Sequence, residues 1–498
     1  MRKDYVFLIL LGLITFFSRF FLLEHFQSHW DGPQYSIAIV HYSLAQETPA
    51  PPGYPLYIAL GKFFYFFLND PHKAILAVSV LGSVLGVMVF YFVGRKMVNT
   101  LVGIVAALIF LTGSTFYYFG LTAYAYGFLP ALTALLGFVV YEIFVKRKNW
   151  GIFLGLVSGF YFGFRPQEML QVGPLVLLGF IFLSNKEKLK TLIIFFAFTL
   201  VWSVPFFSSV GFREYFEQSR AFAAGAFPDR SFFPSFELVV KGFLLSFGVS
   251  VFFLFYYLWK IIKDKSVKNW KLIVFFSVWI LPGLYFNLFV RTEHAGYQMS
   301  YLSGCLLLIA YAVWRTTSKN KILFLSVVSI IGLFNLYWFF YDRDPTYVKP
   351  YRPTSFHYSD IRKNDLKVGS KVTFVQENFD PSNILIVSVD TLWRPYMYYL
   401  KEYRYTALAG MDTKDPKFVY NRFDAIHWEM KQYKNRDMSI KIPRGVSTVV
   451  FMDDGSSGWI KEYPFQTFKL PGNSNITVIK VKPGDTFIYG YHFLKIVK

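Results

Sequence analysis

The chain has 498 residues, of which 54% are hydrophobic and 16% charged, and its formal net charge is +20. A soluble protein of this size carries about 25% charged residues, so the composition excludes an ordinary soluble protein and indicates a multi-span membrane protein. Nucleic-acid binding would need one contiguous basic face. Here the charges fall in short gaps between apolar runs, the positive-inside pattern of cytoplasmic loops: 95–96, 146–148, 186–190, 263–268 and 319–321. We therefore expect no nucleic-acid partner.

The apolar runs predict an all-α transmembrane domain at 1–341. Six runs are each long enough to cross the bilayer as a helix: 5–23, 74–94, 190–209, 237–259, 271–290 and 321–341. With the N-terminus and the basic gaps in the cytoplasm, we predict about eleven crossings, near 5–23, 74–94, 100–118, 125–145, 150–164, 167–184, 190–209, 237–259, 271–290, 298–314 and 321–341. Met1 to Asp4 and the run that follows them predict a signal anchor that stays attached. The stretch 55–68 is short, contains Lys62 and follows Pro51-Pro52-Gly53. We expect it to be an interfacial helix within a first outer loop at 24–73.

The C-terminal part, 342–498, changes character and becomes polar, with clusters of Pro, Gly and Asp. Short runs at 383–389, 446–452 and 476–481 have the composition of strands, and 383–389, 395–400 and 403–409 predict strand, helix, strand. We predict an extracytoplasmic soluble α/β domain. The lone Cys305 excludes an intramolecular disulfide.

The first outer loop carries the most specific pattern in the chain. Trp30-Asp31-Gly32-Pro33-Gln34-Tyr35 precedes the run Pro51-Pro52-Gly53-Tyr54-Pro55-Leu56-Tyr57. This order resembles the GT-C glycosyltransferases, which include the protein O-mannosyltransferases and the lipid A aminoarabinose transferases. The second run is similar to that of a subgroup that carries His-Pro-Pro-Gly-Tyr-Pro-Leu-Tyr. In this chain, Ala50 stands in the place of the His.

The resemblance implies particular site residues. The family holds an acid, often an Asp-Glu pair, in the first outer loop to activate the acceptor; Asp31 matches the first acid and Gly32 stands in the second place. An Arg near the end of the first span is matched by Arg19. The turn 293–297 is similar to the one whose basic residues meet the lipid phosphate. Residues 390–395 with 398–399 resemble part of the outer domain in prokaryotic members.

The chemistry can also be read without the family. Nucleotide sugars are made in the cytosol, so an outer site needs a donor that crosses the bilayer, such as a sugar on polyprenyl phosphate. The reaction then needs a base for the acceptor hydroxyl and cations for the departing phosphate. Asp31 is the candidate base, and Arg165, Arg291 and His294 are the candidate phosphate contacts. Attack opposite the phosphate would invert the anomeric centre.

Further substrate-binding candidates are Tyr35, Tyr54, Tyr57, Glu168 and Tyr297. Each assignment has a structural alternative. Asp31 could cap a helix, Arg165 could snorkel, and Glu168 could pair with its neighbouring Arg. Tyrosines are common at membrane interfaces in any case. A divalent cation stays open, because some relatives use one, although the missing second acid argues against it.

The expected function is transfer of a sugar from a polyprenyl-phosphate donor to a hydroxyl of a protein, lipid or glycan, outside a prokaryotic cell membrane. One alternative from another class is a lipid-linked-sugar flippase or other multi-span transporter without catalysis. Transporters usually place charged sites near the midplane, whereas the ionisable residues here lie near helix ends. Another alternative, a membrane anchor for an outer binding module, leaves Asp31 and the many spans unexplained.

Overall fold

The computed structural model describes residues 2–44, 48–226, 232–263, 270–292, 294–341, 356–388, 393–408, 431–433, 437–456, 464–489 and 494–497. They form two compact units. The first, here the helical unit, consists mainly of Met1–Leu23 and Ala38–Arg343. The second, here the C-terminal unit, combines Glu24–Ile37 with Ser359–Lys498. The predicted domain boundary at 341/342 remains a prediction, because 342–355 lie outside the described residues.

The described residues up to Phe340 are mostly helical. Its α-helices are α1 (Arg2–Phe20), α2 (Asp31–Val40), α3 (Pro55–Leu68), α4 (Pro71–Met97), α5 (Thr100–Thr112), α6 (Ser114–Phe119), α7 (Leu129–Phe144), α8 (Gly151–Phe164), α9 (Met169–Ile181), α10 (Asn185–Val210), α11 (Phe212–Ala226), α12 (Phe232–Phe247), α13 (Val251–Lys263), α14 (Trp270–Phe289), α15 (Met299–Thr317) and α16 (Lys321–Phe340). Helix α3 coincides with the stretch for which an interfacial helix is predicted; its place at the interface stays a prediction.

Several helices can cross a membrane. Among the described residues, seven are long and apolar enough by themselves: Pro71–Met97, Ala125–Phe144, Asn185–Val210, Phe232–Lys260, Trp270–Phe289, Ala295–Thr317 and Lys321–Phe340. Shorter apolar helices cover Tyr5–Phe20, Pro55–Leu68, Thr100–Thr112 and Gly151–Phe164. The chain is therefore a mostly helical membrane protein, and the number of about eleven crossings remains a prediction.

Two predicted spans are interrupted. The run 100–118 is split into α5 and α6 at Gly113, where a Cβ atom would lie 2.3 Å from the carbonyl oxygen of Ser246. The run 237–259 is split by a 3-10 turn at Gly248, whose φ of +52° favours glycine and whose Cβ would lie 2.3 Å from Asn335 Oδ1. Contacts with distant residues, not local apolarity, set these breaks.

Two helices form the centre of the helical unit. In Ala125–Phe144 and Ala295–Thr317, 94% and 83% of the most apolar window is buried. A helix that is apolar all round belongs in a core rather than at a surface. Each begins with a 3-10 turn, at Ala125–Gly127 and Ala295–Gln298, and these turns carry the aromatic residues of the candidate site.

The described residues of the C-terminal unit form two sheets and two helices, in addition to the first part of α2. The helices are α17 (Tyr358–Asn378) and α18 (Trp393–Tyr399), and the strands are β1 (Ile384–Ser388), β2 (Tyr405–Leu408), β3 (Lys431–Tyr433), β4 (Asp437–Lys441), β5 (Thr448–Phe451), β6 (Phe465–Leu470), β7 (Ser474–Lys480), β8 (Thr486–Tyr489) and β9 (Leu494–Val497). One sheet has the order β2-β1-β5-β7-β6 and the other β3-β4-β8-β9. Strand β1 pairs in parallel with both neighbours, and β7 is antiparallel to β5 and β6.

The core of this unit forms where α17 packs against the sheet. Val368, Val372 and Val375 recur at helical spacing on α17 and join a buried cluster with Ile386 of β1. Ile37, from the distant N-terminal segment of the unit, belongs to the same cluster. The segment Glu24–Ile37 is thus part of the hydrophobic core of the C-terminal unit.

Candidate active site

Arg165 lies at the turn between α8 and α9 in the helical unit. Helix α8 ends there because Pro166 follows, and a 3-10 turn of Pro166–Glu168 leads into α9. Arg165 and Glu168 are each only 1% exposed, and Arg165 Nε lies 3.4 Å from Glu168 Oε1. A buried charge is tolerated when an opposite charge compensates it. The contact agrees with the structural interpretation of Glu168 as the partner of Arg165; a substrate role for it stays a prediction.

Two tyrosines bring the predicted arginines together. The Arg165 guanidinium lies 4.1 Å from the ring centroid of Tyr126 and 5.7 Å from that of Tyr297. The Arg291 guanidinium lies 5.5 Å from the centroid of Tyr297. These are cation–π distances. Both arginines therefore share one aromatic neighbour, although they are far apart in sequence.

His294 completes this cluster. Its ring centroid lies 5.0 Å from that of Tyr126 and 5.2 Å from that of Tyr297. The backbone N–H of Gly296 donates to His294 Nδ1 at 3.0 Å. Because Nδ1 accepts, a neutral ring carries its proton on Nε2 and can use that N–H as a donor. Arg165, Arg291, His294 and Tyr297 thus form one cation–aromatic cluster with Tyr126. The neighbouring Glu293 lies outside the described residues.

A buried polar network fixes the turns that carry these residues. Ser300 Oγ of α15 donates to Gln171 Oε1 of α9 at 2.6 Å, and Asn287 Nδ2 of α14 lies 3.5 Å from the same oxygen. Asn287 Nδ2 also donates to the Tyr297 carbonyl at 3.2 Å. Polar groups in a low-dielectric interior are costly unless paired. The network therefore ties α9, α14 and α15 together at the ends that hold the cluster.

The Pro-Pro-Gly-Tyr-Pro-Leu-Tyr run reaches the Arg165 turn. Gln167 Nε2 donates to the Tyr54 hydroxyl at 2.7 Å, and the Tyr57 ring packs edge-on against Phe164 at 5.4 Å. Tyr57 is completely buried. Tyr54 and Tyr57 therefore pack against the turn that carries Arg165, which explains why they lie near the candidate phosphate-binding residues. Sugar stacking by either ring stays a prediction.

Asp31 belongs to the C-terminal unit, within Glu24–Ile37. It is half-buried and begins α2, where it is the acidic residue of the first turn. A carboxylate at a helix N-terminus is stabilised by the helix dipole, so this position also fits the structural alternative. Tyr35 lies one turn further along the same helix and is 2% exposed. The catalytic role of Asp31 and the substrate role of Tyr35 remain predictions.

Arg19, matched to the family by its place in the first span, has well-defined structural contacts. Its guanidinium stacks 3.4 Å from the Tyr117 ring centroid, and its Nη2 donates to the Leu111 carbonyl at 2.7 Å. Burial of this side chain is complete. The contacts join the end of α1 to α5 and α6.

Sequence reasoning missed Tyr126, Gln167 and the network of Gln171, Asn287 and Ser300. The sequence marks these residues only weakly, as isolated polar or aromatic side chains within runs that are otherwise apolar. Within the described ranges, no group of three or more His, Cys, Asp or Glu side chains could hold a metal ion.

No protein-family model matches this sequence, and no curated protein matches it. Solved structures do resemble it. ArnT from Cupriavidus metallidurans bound to undecaprenyl phosphate superposes with a TM-score of 0.59 at 12% identity, covering 96% of this chain and 97% of that one. The apo state of ArnT gives a TM-score of 0.59 at 13% identity with the same coverage. The apo Archaeoglobus fulgidus oligosaccharyltransferase gives a TM-score of 0.47 at 12% identity, covering 97% of this chain and 76% of that one.

Both neighbours are GT-C glycosyltransferases. At these identities a likeness concerns the fold and not the activity. Over nearly its whole length, the chain has the fold of ArnT, a membrane GT-C glycosyltransferase.

Proposed function

We propose that the protein is a glycosyltransferase that moves a sugar from a polyprenyl-phosphate donor to an acceptor hydroxyl on the extracytoplasmic face of a membrane. The observation that carries this proposal is the cation–aromatic cluster in which buried Arg165 and His294 and half-buried Arg291 surround Tyr126 and Tyr297. It occurs in a chain with the fold of ArnT, whose crystal structure contains undecaprenyl phosphate.

In the proposed mechanism the cluster binds the phosphate of the donor. Arginine presents a planar set of N–H donors that suits phosphate oxygens, and because His294 Nδ1 accepts from Gly296, its Nε2–H adds a further donor. Cation–π contacts with Tyr126 and Tyr297 hold the two guanidinium groups in one cluster. Because negative charge grows on the phosphate as it departs, these donors stabilise the transition state more than the ground state.

Asp31 is the proposed base. Its carboxylate takes the proton of the acceptor hydroxyl while that oxygen forms a bond to the anomeric carbon of the sugar. The bond between this carbon and the phosphate oxygen breaks, and polyprenyl phosphate leaves with the bonding electrons. Attack opposite the leaving phosphate inverts the anomeric centre. Asp31 belongs to the C-terminal unit and the phosphate contacts belong to the helical unit, and separate substitutions test the two roles.

The test uses purified full-length protein in lipid nanodiscs with a panel of polyprenyl-phosphate sugars and candidate acceptors. We expect one sugar to give acceptor-dependent release of polyprenyl phosphate. A flippase would instead move labelled donor across a vesicle membrane and leave its sugar–phosphate bond intact. Absence of release with every donor, together with transbilayer movement, would replace the transferase by the transporter.

Arg291→Gln tests the phosphate contact. A lost hydrogen bond to a charged group costs about 1.5–3 kcal/mol, which corresponds to roughly a 10- to 150-fold loss of kcat/KM. The matched control is Arg213→Gln, because Arg213 forms an exposed pair with Glu217 at 2.8 Å and belongs to none of the contacts that define the cluster. An equal effect of both substitutions would remove Arg291 from the proposed site.

A further inference from the structure

The segment that carries Asp31 is held by side chains of the C-terminal unit. The backbone N–H groups of His25 and Phe26 both donate to Asp365 Oδ1, at 2.9 and 2.8 Å. The backbone N–H of Gln27 donates to the Tyr399 hydroxyl at 2.8 Å. Three consecutive residues of the segment are thus bound by a carboxylate of α17 and a hydroxyl of α18.

Aromatic packing continues this attachment up to the residue before Asp31. The Phe26 ring lies 5.1 Å from that of Tyr399. Trp30 meets Trp393 edge-on at 5.5 Å, and the Arg394 guanidinium lies 4.0 Å from the Trp30 ring. Aromatic pairs and cation–π contacts of this kind stabilise a contact beyond the apolar area that they bury. Two neighbouring residues of α18, Trp393 and Arg394, therefore hold Trp30.

The other side of Asp31 is attached as well. Gln27 Nε2 donates to Ser36 Oγ at 2.5 Å, which closes the segment across Asp31. Ile37 then enters the hydrophobic core of the unit beside α17 and β1. Opposite Phe26, α17 carries Gly369, where a Cβ atom would lie 2.6 Å from Phe26 Cε2. The surface of the C-terminal unit thus fits this segment closely.

Asp365 is itself held in place. Arg362 Nη1, one helical turn earlier, donates to Asp365 Oδ2 at 2.8 Å, which leaves Oδ1 directed at the two backbone donors. Between α1 and α2 the chain has only turns and bends. A segment without regular hydrogen bonding depends on such side-chain contacts for a defined position.

We infer that Asp365 and Tyr399 are positioning residues, through which the C-terminal unit fixes the backbone that presents Asp31 to the acceptor. The catalytic part of this inference rests on the proposed function. The C-terminal unit then contributes directly to the geometry of the base. A base displaced by about 1 Å can lose roughly 100-fold in rate, so loosening the segment lowers kcat before it lowers donor binding.

Tyr399→Phe is the sharpest test, because it keeps the ring on Phe26 and removes only the hydroxyl that accepts from Gln27. The matched control is Tyr403→Phe. The Tyr403 hydroxyl donates to the carbonyls of Val375 and Phe379 at 3.0 and 3.2 Å. Both bonds lie within the same unit, and neither involves the segment that carries Asp31. Both variants lose one hydroxyl, so their thermal midpoints should fall by similar amounts.

Hydrogen exchange of the full-length protein tests the holding role without reference to activity. One hydrogen bond contributes about 0.5–1.5 kcal/mol, so exchange of peptides covering 24–30 should rise roughly 2- to 12-fold in Tyr399→Phe. In Tyr403→Phe it should stay at the wild-type rate. Unchanged exchange in Tyr399→Phe, or an equal rise in both variants, would overturn the inference.

Steady-state kinetics test the catalytic part. We expect Tyr399→Phe to lower kcat several-fold with the donor KM unchanged, and Tyr403→Phe to leave both unchanged. Faster exchange in Tyr399→Phe without a change in kcat would overturn the positioning role. A wild-type protein that turns over no donor would overturn the proposed function instead, and with it the catalytic part. The exchange comparison would then still decide whether the C-terminal unit holds the segment.

Discussion

The buried ion pair of Arg165 and Glu168 should show strong energetic coupling. At a separation of 3.4 Å, two unit charges attract by roughly 5 kcal/mol at an effective dielectric constant of about 20. Desolvation of both groups offsets much of this, but removing one partner leaves the other charge buried without compensation. We therefore expect Arg165→Met and Glu168→Leu each to lower the free energy of unfolding by about 3–5 kcal/mol.

The double variant should be less destabilised than the sum of the single variants, with a coupling energy of about 1–3 kcal/mol. The assay is equilibrium unfolding of the full-length protein by SDS titration in mixed micelles. As a control, the same cycle on the exposed pair of Arg213 and Glu217, whose side chains are 91% and 62% exposed, should give little coupling. Additive effects at Arg165 and Glu168 would refute the ion pair as a buried, mutually compensating contact.

Three further predictions concern stability. Lys371 is 1% exposed and donates to Asp454 Oδ1 at 2.7 Å. Lys371→Met should therefore lower the free energy of unfolding by about 3 kcal/mol, and an unchanged SDS unfolding curve would contradict this. Burial alone would raise the pKa of Asp454, but Lys371 and Lys367 outweigh it and hold the pKa below its ordinary 3.8. The stability that this carboxylate contributes is present above pH 3.8 and is lost as the pH falls through the lower pKa of the folded state. In a plot of thermal midpoint against pH, Asp454→Asn should therefore weaken the fall at acid pH. An unchanged fall in this variant would contradict the prediction. In Gly103→Ala the new Cβ would lie 2.4 Å from a backbone oxygen, whereas in Gly12→Ala the nearest atom is 3.5 Å away. Only Gly103→Ala should therefore lower the free energy of unfolding, by about 1–3 kcal/mol. Equal unfolding midpoints of the two variants would contradict this prediction.

Local patterns in the sequence predict much of the fold. Apolar runs indicate the long helices because a bilayer requires about 20 apolar residues per crossing. Strand composition places β1, β5 and β7 within two residues of their observed ends, and the predicted strand, helix, strand after 383 is present as β1, α18 and β2. The breaks at Gly113 and Gly248 could not be predicted, since the contacts that require glycine come from Ser246 and Asn335.

The candidate site shows the same division. Arg165, Arg291 and His294 can be selected as candidates because they fall in turns assigned to the outer face, whereas the other basic gaps are assigned to the cytoplasm. Their common neighbour Tyr126 cannot be selected in this way, because an aromatic residue in an apolar run is indistinguishable from core. The attachment of Glu24–Ile37 to the C-terminal unit was also beyond local patterns. The bonds that make it, from Phe26 to Asp365 and from Gln27 to Tyr399, span 339 and 372 residues.

The most direct test of the transferase is the rate of sugar transfer by Asp31→Asn. Asparagine is nearly isosteric but cannot take the acceptor proton, and a general base contributes about 100- to 10,000-fold to the rate. A carboxylate elsewhere in the C-terminal unit provides the control: Asp380 is exposed and accepts from the Ser382 backbone N–H at 2.7 Å. Single-turnover release of polyprenyl phosphate should fall at least 100-fold in Asp31→Asn and stay normal in Asp380→Asn. A normal rate in Asp31→Asn would contradict the proposed mechanism.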